Sequence, residues 1–85
     1  MALSVSFLSR KIWRKSGKYV IPLPEEYAGL FGHGQVVEVE LRLSSGEVYR
    51  LRGVVKKYRS GVFVKLPPEA RAVWSERGLR VRVLA

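Results

Sequence analysis

The chain of 85 residues has no cysteine, aspartate, asparagine or threonine, and only one glutamine (Gln35), one methionine and one histidine (His33). Without cysteine there is neither a disulfide framework nor a thiolate metal site, which fits a reducing cytoplasm. With seven carboxylates, all of them glutamate, a metal cage or a nucleophile triad has almost no material. His33 lies between Gly32 and Gly34, a setting that reads as the C-terminal cap of a helix rather than a ligand or base. No glycine-rich phosphate loop occurs. These absences together exclude the usual enzyme classes and call for no metal or cofactor.

Long apolar runs are also missing: nothing approaches the roughly 18 residues that span a bilayer. The opening MALSVSFLSRKIW has a short apolar stretch with no basic segment ahead of it, so it reads as a strand rather than a signal peptide. Scarce Asn, Gln, Cys and Met beside abundant Arg and Glu match the bias of proteins from hot environments.

What is abundant is positive charge and internal repetition. Sixteen Lys/Arg against seven Glu give a net charge of +9 and a pI near 10.5, the field that draws a polyanion. Residues 1–43 carry six Lys/Arg and four Glu, residues 44–85 ten and three, hence +2 and +7. An anion-binding face should therefore draw mainly on the second half. The segment Ser16–Leu41 aligns without a gap on Ser60–Ala85 at an offset of 44, with nine identities in 26 positions. Among them are Gly17/Gly61, Val20/Val64, Pro24/Pro68, Gly34/Gly78 and Val39/Val83. A repeat at this scale means one supersecondary unit used twice.

The unit reads as ββαβ. Leu3, Val5 and Phe7 alternate with Ser4 and Ser6 in a first strand reaching Trp13, and Arg14–Gly17 turns into a short strand, 19–23. Pro24, Glu25 and Glu26 open a helix running to about Phe31, since proline suits the first helical position and carboxylates its positive end. Val37, Val39, Leu41 and Leu43 then alternate with charged residues in a third strand, and Ser44–Glu47 forms a hairpin turn. The second unit repeats the order: strands over 48–56 and 61–66, a helix from Pro68 to about Arg77, and a strand over 79–84. At 85 residues this is one domain, 1–85, with repeats 1–43 and 44–85. The fold class is mainly β: two units related by a pseudo-twofold axis can close a six-stranded barrel with two short helices.

Arg10-Lys11-Ile12, Gly17-Lys18-Tyr19-Val20-Ile21-Pro22, a short helix and Gly34-Gln35-Val36-Val37-Glu38-Val39 together resemble the AbrB/SpoVT-type DNA-binding domain. That family belongs to the cradle-loop barrels of swapped-hairpin, RIFT and double-psi type. The resemblance implies a basic strand and loops that face DNA. In the family two chains intertwine, whereas both units here lie in one chain, which implies a closed monomer. The family's Gly-Asp turn is Gly34-Gln35 and Gly78-Leu79 here, and its basic helix start is Glu25-Glu26-Tyr27 and Glu69-Ala70-Arg71.

The candidate nucleic-acid-binding residues are Arg10, Lys11, Arg14, Lys15 and Lys18 in the first unit. In the second they are Arg50, Arg52, Lys56, Lys57, Arg59 and Lys65. Such groups neutralise phosphates and release counterions. The turn tips 14–18 and 57–60 are equivalent and suit straddling a duplex. Trp13 and Tyr58 are the aromatics expected to be exposed, Tyr19 to be packed. The expected function is a DNA-binding transcription regulator or chromatin-associated protein acting on double-stranded DNA. The alternatives are binding to RNA or the ribosome, and an adapter barrel docking an acidic protein; a homodimer stands beside the favoured monomer. Glu38 and Glu40 become Arg82 and Leu84 in the second unit, a charge reversal that predicts an intramolecular ionic network, with a head-to-tail meeting of two molecules as the alternative.

Overall fold

The computed structural model describes residues 3–85. Its strands are β1 (Ser4–Lys11), β2 (Trp13–Lys15), β3 (Lys18–Pro22), β4 (Val36–Arg42), β5 (Val48–Tyr58), β6 (Gly61–Leu66) and β7 (Arg77–Leu84). They form one antiparallel sheet in the order β1-β7-β4-β5-β6-β3-β2, curled into a half-barrel. There are seven strands rather than six because Ile12 interrupts the first. β1 pairs with β7 as far as Lys11, and β2 pairs with β3 from Trp13 onward. Ile12 between them is buried at 2% exposure, so the chain turns its apolar side chain inward where it changes neighbours. β5 makes the same change without a break, since Val54 faces both Val36 of β4 and Lys65 of β6. The two outer strands of the sheet, β1 and β2, are thus consecutive in the chain, and among the described residues no ladder joins them.

The α-helices expected after each strand pair are six-residue 3₁₀ helices, Glu25–Leu30 and Pro68–Val73. The second ends at Val73, short of the expected Arg77, where β7 already begins. Segments this short gain too few hydrogen bonds to offset nucleation of an α-helix. Neither has a side-chain cap, and Gly29 lies inside the first. The second anchors through buried Ala70 and Val73, whereas the first buries none of its residues and passes its anchor to Phe31 just beyond it.

Strand alternation builds the core. Val37, Val39 and Leu41 of β4 and Leu79, Val81 and Val83 of β7 are buried, while Arg42, Arg80 and Arg82 point out. Tyr19, Ile21, Val55, Val64 and Leu66, from β3, β5 and β6, complete the same interior from the other half of the curled sheet. Buried groups of this size contribute about 1.5–3 kcal/mol each. Gly53 is required where β5 bends over that core. A Cβ there would stand 2.6 Å from a methyl of Val64 and 3.1 Å from one of Val39. Exchanging β1/β2 for β5, β3 for β6 and β4 for β7 leaves the set of strand pairings unchanged. Val39 and Val83, equivalent under the 44-residue offset, face each other directly.

Candidate nucleic-acid interface

Two hairpins carry the basic residues. β2 and β3 are joined by Ser16-Gly17, both at positive φ (52° and 75°), with Lys15 opposite Lys18. This two-residue loop has the twist that antiparallel strands need, and glycine tolerates its second position at no steric cost. β5 and β6 are joined by Arg59-Ser60, with Tyr58 opposite Gly61. β3 pairs antiparallel with β6, so the two turns lie at opposite ends of the β3–β6 ladder. Their tips bound a single groove over its outer face.

Lys15, Lys18, Lys56, Arg59 and Lys65 line this groove of about 590 Å³, together with Tyr58, Phe63 and no carboxylate. An adjoining hollow shares Lys18, Lys56 and Lys65 and adds Arg52. The ladder dictates the crowding: Val20 faces Lys65, which faces Val54, and Lys56 faces Phe63, so outward positions two apart bring lysines from three strands together. The nearby Lys18 ammonium lowers the pKa of Lys65 below the usual lysine value, with partial desolvation and Lys56 acting in the same direction. Like charges placed opposite each other, as Lys15 and Lys18 are, oppose folding; an anion between them removes that cost.

The other candidates are dispersed. Arg14 is absent from the groove lining; its guanidinium lies 6.0 and 5.9 Å from the ring centres of Tyr19 and Trp74, and it borders a neighbouring hollow with Trp13 and Lys15. Arg10 and Lys11 belong to β1 at the far end of the sheet order, and the Lys11 ammonium lies 4.2 Å above the Trp13 ring. Arg50 meets Glu40 at 3.6 Å. Glu40 also stands opposite Arg82 in the β4–β7 register, but the Arg82 guanidinium donates to Oγ of Ser4 at 3.1 Å, so the charge reversal between the units places opposite charges on neighbouring strands without joining them in a network. Arg52 faces Glu38 and sits at the margin of the groove. Lys57 is exposed, and its backbone N–H donates to Nδ1 of His33 at 2.9 Å. His33 therefore ties its loop to β5 instead of capping the preceding helix.

Trp13 and Tyr58 are 51% and 58% exposed, whereas Tyr19 is buried, as the sequence suggested. Phe63 is the residue sequence reasoning passed over. It pairs with Tyr19 in the repeat but lies half-buried on the outer face, 6.1 Å from Tyr58 between ring centres and 5.6 Å from the Lys15 ammonium. Its neighbours alternate with it in VFVKL, which marks Val64 and Leu66 as the inward pair. A second concavity of about 600 Å³ over β1, β7 and β4 holds Arg42, Arg80 and Arg82 but also Glu40. Its charge is partly compensated where the groove's is not.

No family model, curated protein or solved structure matches the chain.

Among the described residues, no group of three or more His, Cys, Asp or Glu could hold a metal ion. Among the same residues, no helix is long and apolar enough to cross a membrane.

Proposed function

We propose that the protein binds nucleic acid through its phosphate backbone, in the groove over β3 and β6. The observation that carries this reading is the convergence of five cations from both hairpins on one groove with no carboxylate in its lining. Clustered ammonium and guanidinium groups neutralise phosphates without reading bases, so the binding is independent of sequence and falls with salt. One chain supplies both hairpins, so the groove is complete in a monomer. DNA-bound regulation or chromatin association is the role we assign to such a surface.

We also read Ser4–Lys15 as one strand bent at Ile12, which would close the half-barrel into a six-stranded pseudo-twofold barrel and hold the two turns at fixed separation. Slow amide exchange across residues 10–13, at the rate of the core, would support that closure; exchange as fast as in a fraying edge would remove it.

The test is fluorescence anisotropy of nucleic-acid-free protein against random-sequence duplex and single-stranded oligonucleotides over a range of salt concentrations. If all six groups of the groove and its margin engage, log K falls against log salt with a slope of about −5 for a duplex and about −4 for a single strand. No binding of either at low salt overturns the reading.

A further inference from the structure

We infer that the groove accepts an unpaired strand, whose bases stack on the aromatic side chains beside the cations; the inference rests on the nucleic-acid reading above. Tyr58 and Phe63 line the groove with the lysines. Trp13 and Phe63 line an adjoining hollow of about 410 Å³ with Arg14 and Lys15. The rings therefore follow one another across the outer faces of β5, β6 and β2, with Lys15 lining both hollows. Two of the three expose more than half their surface, and large aromatics left in water on a charged face forgo burial that a stacked base restores.

Two physical points separate an unpaired strand from a duplex. The bases of a duplex are stacked on each other and offer no free π-face, whereas an unpaired base offers one to any aromatic ring. The concavities, about 590 and 410 Å³, also have the size of small-molecule pockets, enough for one or two nucleotides each and too small to enclose a double helix. Alternating cations and rings along a groove is the arrangement that binds single strands with little sequence preference, each stacked base adding to the affinity. Lys11 already covers one face of the Trp13 indole, and a cation on one face leaves the other for a base.

The experiment compares labelled oligothymidylate, oligouridylate and a hairpin duplex with the same number of phosphates, using the full chain and the variants Trp13→Leu and Tyr58→Leu. Both single strands are expected to bind at least tenfold tighter than the duplex, and each variant to weaken single-strand binding roughly tenfold while leaving duplex binding unchanged. A preference for oligouridylate assigns the strand to RNA, and a preference for oligothymidylate to DNA. As an independent readout, Trp74→Phe leaves Trp13 as the sole indole, and its fluorescence should be quenched on adding either strand. Duplex binding equal to or tighter than single-strand binding, with both leucine variants and Trp13 fluorescence unaffected, overturns stacking and leaves phosphate binding intact. Failure of all three ligands to bind overturns both.

Discussion

Nδ1 of His33 accepts the backbone N–H of Lys57 at 2.9 Å, joining residues 24 apart in sequence. Beside it, Gly34 donates to the carbonyl of Val55 and Val55 donates to that of Gln35. The loop before β4 thereby continues the β4–β5 ladder to the base of the second basic turn. Removing the imidazole in His33→Ala leaves the Lys57 amide to water. Loss of one such bond costs about 0.5–1.5 kcal/mol. Hydrogen exchange should show Lys57 losing protection while the core strands keep theirs; unchanged exchange at Lys57 would show the contact to be dispensable.

Gly53 predicts a larger effect. The side-chain position closest to its missing Cβ belongs to Val64, itself buried at 1% exposure, so it has no room to retreat. Gly53→Ala should destabilise by about 1–3 kcal/mol through overpacking, read as a lower urea midpoint with an unchanged slope. A variant as stable as the parent would mean that β5 can shift off the core.

The groove predicts a contrast between variants of equal charge. Lys15→Gln, Lys18→Gln, Lys56→Gln and Lys65→Gln combined remove four positive charges from one face. Arg10→Gln, Arg42→Gln, Arg50→Gln and Arg80→Gln remove four elsewhere. Equilibrium titration should show the first set losing at least a hundredfold in affinity and most of its salt dependence, the second less than tenfold. Equal losses would reduce the groove to a share of the net charge.

Lys65 predicts a pH dependence. The folded protein holds its proton less tightly than the unfolded chain does, because Lys18 and Lys56 lie close by. The unfolded state binds more protons between the lowered folded pKa and the ordinary value of 10.5, so stability should rise with pH across that alkaline window. A side-chain NMR titration of Lys65 should show early deprotonation in the parent and a return toward the ordinary value in Lys18→Ala. A normal titration in the parent would show the two ammonium groups to be further apart than the groove requires.

Much of the fold was legible because strand alternation is a local property. Val37, Val39 and Leu41 against Glu38 and Arg42, and Leu79, Val81 and Val83 against Arg80 and Arg82, name the inward face without any partner strand. The turn at Ser44–Glu47 and the exposure of Trp13 and Tyr58 were equally readable. The helices were not, because proline and paired glutamates mark a helical start without distinguishing a 3₁₀ turn from an α-helix. Nor was the break at Ile12, where an apolar residue in an alternating run gives no sign that its neighbours pair with different strands.

For the site, composition settled which groups are charged, and alternation settled which of them on one strand share a face. The long-range pairing decided which of them meet. Lys18 and Lys65 come together only because β3 pairs with β6, and Arg50 leaves the set only because the β4–β5 register sets it against Glu40. Period-two alternation specifies the face of a side chain but not its neighbour across the ladder, since that neighbour depends on the partner strand and its register. Eleven basic candidates of equal standing in the sequence therefore became one groove and several separate charges when the sheet curled.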